Sequence, residues 1–225
     1  MNNLFSKKGL RLVLLTGFSA ALIGCSLESD ELKDALTHDA KMSFVNALDY
    51  MADFHVKKRY ISSSYSGLFD SKNISSKDVP KKATGSTYAY SYRAIHNMVN
   101  LGVKDSNSNS NKQKMYKSLS DGDNLWVIAW ESAEQIELSV ISKKKSNRTG
   151  AFNVRVFADG NYNIVVDGTQ VATTEKAKVS GFITVDTCAD GLTINGAAID
   201  LCTGDPGQSY LLVVDKNGKR VMAKE

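Results

Sequence analysis

The chain has 225 residues, with 28 Lys and Arg against 24 Asp and Glu and a formal net charge of +4. Three of the basic residues and none of the acids lie within the first 24 residues, so the rest of the chain carries 25 basic against 24 acidic side chains. A chain this close to neutrality is not expected to bind nucleic acid, which requires a basic face. Its length suits one domain, or one domain with a helical subdomain.

The N-terminal segment has the layout of a secretory signal peptide. Lys7, Lys8 and Arg11 precede an uncharged and mostly apolar run at residues 12–23. This run is too short for a membrane-spanning helix, which needs roughly 20 residues. A positive flank followed by a short apolar run is typical of an export signal. We therefore predict a signal peptide over residues 1–24.

The tetrapeptide Leu22-Ile23-Gly24-Cys25 ends this segment. It resembles the lipobox of bacterial lipoproteins, in which an aliphatic residue stands three positions before an obligatory Cys and a small residue stands one position before it. The resemblance covers the signal segment alone, and no family is recognised for the rest of the chain. It implies that Cys25 carries a diacylglycerol and, after cleavage, an acyl chain such as palmitate, which together give durable membrane anchoring. The alternative is an ordinary buried or disulfide-bonded Cys25.

The residue after the lipobox Cys bears on localisation. In that family an Asp at this position retains the protein in the inner membrane, and here the residue is Ser26. The resemblance therefore implies an outer-membrane lipoprotein whose body faces the periplasm or the cell surface. Residues 25–30 would be its lipidated tether.

Residues 31–122 are predicted to be a helical region with flexible loops. Apolar residues recur at steps of three and four between Leu32 and Phe54, which predicts an amphipathic helix that ends near Arg59. Residues 104–111 are rich in Ser and Asn and predict a flexible loop. Residues 112–119 are compatible with a further short helix.

The run Tyr88-Ala89-Tyr90-Ser91-Tyr92 is compatible with two structures. As a strand it would place three tyrosines on one face, where they could stack on a sugar or a peptide. As a helix it would align Tyr88 and Tyr92 with residues 95 and 99. The helix accounts for more residues at once, and we predict it here.

From residue 124 the pattern changes to short runs with a period of two. Strands are predicted at residues 125–130, 136–141, 151–157, 162–166, 171–174, 179–186, 192–201, 210–215 and 220–223. Asp-Gly and Asn-Gly turns between such runs are typical of β-hairpins. The predicted fold is therefore α+β, with N-terminal amphipathic helices followed by an antiparallel β-sandwich over residues 123–225. No repeat with a period of 20–50 residues is visible.

Cys188 and Cys202 are the two cysteines that follow the lipobox. An even number of cysteines in an exported chain predicts a disulfide bond. A loop of about 15 residues would contribute roughly 3 kcal/mol through the entropy of the unfolded chain. A metal pair is the alternative, although no histidine lies near either cysteine.

The sequence provides few candidates for catalysis. His38, His55 and His96 all fall in predicted helices without a catalytic signature beside them. Neither a His-Glu-x-x-His nor a Gly-x-Ser-x-Gly motif is present. Ser142 and Lys145 fit Ser-x-x-Lys in spacing, but the segment leaves a predicted strand for a loop.

Three further clusters have a chemical and a structural interpretation each. Glu131, Glu134 and Glu137 could serve glycoside hydrolysis or form a solvated turn. Asp121-Gly122-Asp123 and Asp159-Gly160-Asn161 resemble calcium loops but lack the remaining EF-hand positions, and are otherwise turns. Lys143-Lys144-Lys145 with Arg148 could contact anionic lipid headgroups or an acidic wall polymer, or form a solvated hairpin tip. We therefore predict no catalytic, cofactor-binding or metal-binding residue.

These observations favour a non-catalytic binding or assembly component of the cell envelope. A secretion, pilus or adhesion system with an envelope protein partner would suit the anchor and the sandwich. The alternative is a glycan or peptide hydrolase whose carboxylates come together from distant strands.

Overall fold

The computed structural model describes residues 36–60, 64–108 and 111–225. The predicted signal peptide, the tether and Cys25 lie outside the described residues, so the lipobox stays a prediction. Residues 36–225 cluster as one compact unit. No helix in the described part of the chain is long and apolar enough to cross a membrane.

Strands dominate the described residues, which also contain two short 3-10 helices at Ser71–Asn73 and Ala94–His96. The strands are β1 (Thr37–Asn46), β2 (Ala52–Lys58), β3 (Ile74–Val79), β4 (Ala83–Arg93), β5 (Met98–Asp105), β6 (Lys112–Ser118), β7 (Asp123–Ser132), β8 (Gln135–Ser142), β9 (Phe152–Ala158), β10 (Asn163–Val166), β11 (Thr169–Thr173), β12 (Ile183–Val185), β13 (Leu192–Ile194), β14 (Ala197–Ala198), β15 (Ser209–Asp215) and β16 (Gly218–Lys224).

The prediction of N-terminal amphipathic helices, and with it the α+β class, is wrong. The described part of the predicted first helix contains β1 and β2, and residues 112–118 form β6. Ala40, Met42 and Phe44 are buried at a period of two, whereas the helical pattern had to skip Met42. Between β1 and β2 the Asn46 side chain donates to the Tyr50 carbonyl at 2.8 Å, which holds a turn where the helix required continuous backbone.

The tyrosine run is also a strand. Tyr88, Tyr90 and Tyr92 lie on one face of β4, with ring centroids 6.3 and 6.0 Å apart for successive pairs. Tyr92 is buried, and the other two rings pack against the same core. The face is therefore part of the core at a sheet edge and does not form an open stacking platform.

The first eight strands form a sandwich of two sheets. Inner sheet 1 has the order β4-β1-β7-β8, and outer sheet 1 has the order β3-β2-β5-β6. All neighbouring strands are antiparallel except β1 and β7, which are parallel. Met42, Phe44, Phe54, Leu101 and Val127 lie in the core between the two sheets. We call this unit the first sandwich.

The last eight strands repeat this topology. Inner sheet 2 has the order β12-β9-β15-β16, and outer sheet 2 has the order β11-β10-β13-β14. Each strand is the eighth after its counterpart in the first sandwich, and the one parallel pair, β9 with β15, recurs at the matching place. Val154, Ile164, Leu192 and Leu212 lie in the core of this second sandwich. The chain thus contains a structural repeat that its sequence does not show.

The two inner sheets share a third core. It combines Val45 and Ile128 of inner sheet 1 with Phe157, Leu211 and Val213 of inner sheet 2. Central strands of both inner sheets are consequently buried on both faces. Such strands lose the polar alternation and become continuous apolar runs, which explains the sequences of β7 and β15.

A buried ion pair of the second sandwich is hydrogen-bonded to strands β7 and β8 of the first. The Arg155 guanidinium donates to Glu225 Oε1, with Nε at 2.8 Å, and both side chains are almost completely buried. Trp126 Nε1 and the Lys144 amide donate to Glu225 Oε2 at 2.9 and 3.0 Å. Arg155 also donates to the Ser142 carbonyl at 2.8 Å. Each buried charge is therefore paired and hydrogen-bonded, as burial requires.

The disulfide bond predicted between Cys188 and Cys202 is present. It connects the segment between β12 and β13 with the segment between β14 and β15. The Leu201 amide donates to the Cys188 carbonyl at 2.7 Å beside it. The bond therefore links the two connections that flank β13 and β14 of outer sheet 2.

Candidate binding surface

The outward face of outer sheet 1 carries a cluster of cationic and aromatic side chains. Phe54 and Val56 of β2 point into the first core. Because successive strand residues face opposite sides, Asp53, His55 and Lys57 point outward. Neighbouring residues of β5 and β6 extend this surface, which we call the basic–aromatic face.

Five cationic side chains belong to this face: Lys57, Arg59, Lys104, Lys112 and Lys114. Lys104 lies directly opposite Lys112 in the β5–β6 register, and like charges in this relation destabilise a sheet. The Lys104 ammonium reaches the Asp53 carboxylate at 3.8 Å. Within the described ranges the other four cations have no carboxylate partner. The face therefore keeps uncompensated positive charge.

The rings of Tyr65 and Tyr116 lie beside two of these cations. The Arg59 guanidinium lies 5.3 Å from the Tyr65 ring centroid and 4.9 Å from that of Tyr116. The Lys114 ammonium lies 5.0 Å from the Tyr65 centroid. A cation over an aromatic ring gains roughly 0.5–1 kcal/mol at an exposed site. The charged groups are thus ordered before any ligand arrives.

Arg59 is the most constrained of the five cations. Its Nη1 donates to Asn100 Oδ1 at 2.9 Å, and Asn100 Nδ2 donates in turn to the Ser64 carbonyl at 3.2 Å. Arg59 Nε is buried and has no hydrogen-bond partner in the described part of the structure. These hydrogen bonds and the two neighbouring rings fix the position of the Arg59 guanidinium charge at the face.

Residues 64–70 form a loop over the face, which we call the cover loop. Leu68 of this loop is fully buried, and Lys57 Nζ donates to the Ser66 carbonyl at 2.6 Å. Gly102 of β5 lies beneath it. A Cβ added to Gly102 would lie 2.9 Å from Phe69 Cε1 and 3.0 Å from Leu68 Cδ2. Because Gly102 has no side chain, the cover loop can pack directly on the sheet. The Lys112 ammonium lies 5.5 Å from the centroid of the Phe69 ring in this loop.

His55 lies buried under the cover loop with its ring 5.3 Å from that of Phe69. Neither ring nitrogen has a hydrogen-bond partner of normal geometry among the described residues. Burial lowers the pKa of His55 and the charge of Lys104 lowers it further, whereas Asp53 raises it. Asp53 accepts hydrogen bonds from the Asp78 amide and from Ser106 Oγ, both at 2.9 Å. The pKa of His55 therefore lies below its ordinary value, and the ring packs as a core side chain.

The three histidines lie at separate places. His38 lies on β1 with its ring 5.7 Å from that of Tyr92. His96 lies in the second 3-10 helix with its ring 5.4 Å from that of Tyr60. None of the three is in a helix of the predicted kind.

The structure gathers distant carboxylates in one cleft between the sandwiches, with a volume of about 420 Å³. Its acidic lining residues are Asp49, Glu131, Glu134, Asp159 and Asp215. Glu137, in contrast, lies on β8 outside this lining.

Arg220 organises this cleft. It contacts the carboxylates of Asp49 at 2.9 Å and Asp215 at 3.4 Å and donates to the Ala47 carbonyl. The Arg220 hydrogen bond lowers the pKa of Asp49. A glycosidase acid requires a raised pKa, so Asp49 does not suit that role. Asp49 and Asp215, which Arg220 binds, instead stabilise the contact between the two sandwiches.

The calcium-like turns are held by their own hydrogen bonds. Asp121 Oδ1 accepts from the Asp39 amide at 3.0 Å, and Asp123 Oδ2 accepts from the Ser120 amide at 2.9 Å. Tyr162 donates to Asp159 Oδ1 at 2.7 Å in the other turn. The described residues include no group of three His, Cys, Asp or Glu side chains that is arranged to hold a metal ion.

The basic run after β8 connects the two sandwiches. The Lys143 ammonium lies 3.9 Å from the Trp126 ring centroid, and burial lowers the pKa of Lys143. The Lys144 amide binds Glu225, as described above, and the Ser146 amide donates to Ser209 Oγ at 2.9 Å. Ser142 ends β8 and precedes this run, so the Ser-x-x-Lys pair is not on a helix. Lys145 and Arg148 remain exposed.

Sequence reasoning missed the basic–aromatic face because it placed its residues on helices. Lys57 and Arg59 were predicted to end the first helix, and Lys112 and Lys114 to lie in the short helix. The alternation of Lys112, Lys114 and Tyr116 at a period of two was the signal that could have identified the face.

Comparison with known proteins adds no functional information. No protein-family model matches this chain. No curated protein resembles it at a significant level.

Proposed function

We propose that this protein is a lipid-anchored, non-catalytic binding protein of the bacterial outer membrane, and that its basic–aromatic face binds an anionic polysaccharide of the cell envelope. The observation that supports the binding role is the array of five ordered cations, four of which have no carboxylate partner in the described ranges. The predicted lipidation of Cys25 and the residue Ser26 support the location.

An anionic polymer matches this array better than a single small anion does. Lys112 and Lys114 are two residues apart on one strand, which places their Cα atoms about 7 Å apart. Lys104 and Lys57 extend the charge across the neighbouring strands of the same sheet. A chain with repeated carboxylate or phosphate groups would contact several of these cations together. Its binding would also relieve the repulsion between Lys104 and Lys112.

The chemistry requires recognition and no bond cleavage. Arg59 contributes a guanidinium charge in a fixed position, while the lysines act as point charges. Exposed charges are screened by salt, so the affinity should fall as ionic strength rises. The cover loop fixes the rings that order these groups, and this preorganisation reduces the cost of binding.

The binding proposal can be tested with the full-length protein and purified, lipid-free anionic polysaccharide from a bacterial envelope. Lys112→Glu combined with Lys114→Glu should reduce the affinity by a factor of about ten or more, because it removes two exposed ionic contacts, each worth up to about 1 kcal/mol, and adds repulsion. Lys145→Glu combined with Lys216→Glu makes the same change in net charge at exposed sites outside the face. This control should bind almost as the unchanged protein does.

Three results would count against the proposal. Equal loss in both double variants would mean that net charge alone is responsible. Equal binding to vesicles of anionic phospholipid would indicate a membrane surface as the ligand. Capture of an acidic envelope protein by the face, with no polysaccharide binding, would favour an assembly partner.

The anchor is tested separately. Cys25→Ser should abolish the incorporation of a palmitate analogue, and unchanged labelling would refute the lipoprotein interpretation. Ser26→Asp should move the protein toward the inner membrane in a fractionation experiment. Neither result depends on the basic–aromatic face.

A further inference from the structure

The second sandwich has an open edge where the first sandwich is closed. β3 and β4 occupy this edge in the first sandwich, and their counterparts β11 and β12 occupy it in the second. Ser86 of β4 donates from its amide to Ser76 Oγ at 3.1 Å and from its hydroxyl to the Ser75 carbonyl at 3.3 Å. A Cβ added to Gly85 would lie 2.4 Å from Ser76 Oγ. The first sandwich is thus sealed by direct contact between its two sheets.

The corresponding edge of the second sandwich contains a cleft of about 370 Å³, which we call the edge cleft. Its apolar lining consists of Val166, Val171, Ala172, Phe182 and Ile183. Val166, Ala172 and Ile183 also pack against the second core, so the cleft opens toward that core. Val171 is 51% exposed, so its side chain is accessible at the cleft.

One cation lies at the rim of this cleft. Arg148 contributes to the lining, and its Nη1 donates to Thr184 Oγ1 at 3.3 Å. No carboxylate pairs with Arg148 within the described part of the chain. An apolar floor with a single guanidinium at its rim is complementary to apolar side chains accompanied by one carboxylate.

β11, which contributes Val171 and Ala172 to the cleft, has an unpaired strand edge within the described ranges. It is the end strand of outer sheet 2, and four of its five residues are exposed. In the described ranges no strand pairs with its outer side. An exposed strand edge is a template for another extended chain, and peptide recognition by strand addition uses main-chain bonds for affinity and pockets for specificity.

We propose that the edge cleft binds an extended peptide segment of a partner protein. The segment would pair with the free edge of β11, place alternate aliphatic side chains in the cleft and direct a carboxylate to Arg148. A fatty acid would satisfy the apolar lining and Arg148 but would leave the main-chain groups of β11 unused. This inference does not depend on the basic–aromatic face.

The test uses the full-length protein and a fluorescent eight-residue peptide of alternating valine and serine that ends in a free carboxylate. Binding should be saturable in an anisotropy titration. Val171→Lys should weaken it about tenfold by placing a charge in the cleft. Arg148→Gln should weaken the free-carboxylate peptide about tenfold and leave the amidated peptide unchanged, because only the former loses a charged hydrogen bond.

Two controls make the outcome decisive. Thr193→Lys adds the same charge to the solvent face of outer sheet 2, outside the cleft lining, and should leave binding unchanged. Lys112→Glu with Lys114→Glu should also leave it unchanged, so failure of the polysaccharide proposal would not affect this result. Absence of saturable binding, or equal loss of both peptides in Arg148→Gln, would overturn the proposal. Concentration-dependent dimerisation that Val171→Lys abolishes would do so as well, because the occupant would then be a second copy of this chain.

Discussion

The two sandwiches have the same strand order but differ in the chemistry of their outer sheets. The solvent face of outer sheet 1 carries five cations, three aromatic rings and the cover loop. The matching face of outer sheet 2 carries small uncharged residues such as Val165, Thr193 and Ala198, which are neighbours in the strand register. A fold is set by the residues that pair and pack, whereas a binding site is set by residues that face solvent. The repeat could therefore keep its topology while only one copy acquired a charged surface.

The two sandwiches also differ in how they are stabilised. β4, β5 and β6 have 11, 8 and 7 residues, whereas their counterparts β12, β13 and β14 have 3, 3 and 2. Short strands contribute few ladder hydrogen bonds and little packing area. The second sandwich compensates with the Cys188–Cys202 bond. The same topology is thus stabilised by longer strands in the first sandwich and by a disulfide cross-link in the second.

The largest expected effect comes from breaking the joint between the sandwiches. Glu225→Ala leaves the Arg155 guanidinium buried without its carboxylate and removes the acceptor of Trp126 Nε1. The loss of one partner from a buried pair typically costs about 3–5 kcal/mol. Urea unfolding followed by circular dichroism measures this loss. Glu131→Ala, at an exposed position, is the control, and an equally small effect in both variants would contradict the importance of the joint.

The next effect concerns the cross-linked sandwich alone. Replacing both Cys188 and Cys202 by Ala should lower the free energy of unfolding by about 2–5 kcal/mol. Hydrogen exchange should accelerate most in β13 and β15 and least in β1 and β7, if the bond supports the second sandwich. Uniform acceleration in both sandwiches would show that their stabilities are not separable in this way. Polysaccharide binding should be unchanged.

A smaller effect is expected at the cover loop of the first sandwich. Gly102→Ala places a methyl group against Phe69 and Leu68, and overpacking of this kind costs about 1–3 kcal/mol. The variant should also bind polysaccharide more weakly, because the ring under Lys112 shifts. Gly181→Ala is a suitable control, since nothing lies within 4 Å of a Cβ added there. If stability falls as expected but binding is unchanged, the cover loop does not contribute to the proposed binding site.

The smallest expected effect is a pH dependence that arises in the first sandwich. Burial keeps the pKa of His55 below its ordinary value of 6.5, so below that pH the unfolded chain binds a proton that the folded protein does not. Stability from this group is therefore complete above pH 6.5 and decreases as the pH falls toward the folded pKa. His55→Gln should flatten this part of the stability curve, and His96→Gln should not. A curve that keeps its slope in His55→Gln would assign the dependence to another group.

Part of this structure follows from local sequence patterns. Most strands from β7 onward were predicted at nearly their observed positions, because Asp-Gly and Asn-Gly turns separate their apolar runs. The predicted strand at residues 192–201 is instead the hairpin of β13 and β14, and the one predicted at residues 179–186 is only the three-residue strand β12. The Cys188–Cys202 bond followed from the number of cysteines in a chain with a predicted export signal. Between Leu36 and Ser118 the same reasoning failed, since Ala40, Phe44 and Leu48 are compatible with a helical spacing as well as with strands and a turn. Only the pairing of β1 with both β4 and β7 decides between the two.

The basic–aromatic face and the edge cleft depend on contacts that no local pattern contains. Arg59, Tyr65 and Tyr116 lie on three separate segments and meet only after β2, β5 and β6 pair and the cover loop closes. The sequence by itself determined most strands of the second sandwich and the disulfide bond, because turn chemistry and cysteine number act over short distances. The lipidation of Cys25 stays a prediction from the signal motif. The tertiary structure alone decided the first sandwich, the repeat and both candidate binding surfaces, because strand pairing joins residues that lie far apart in the chain.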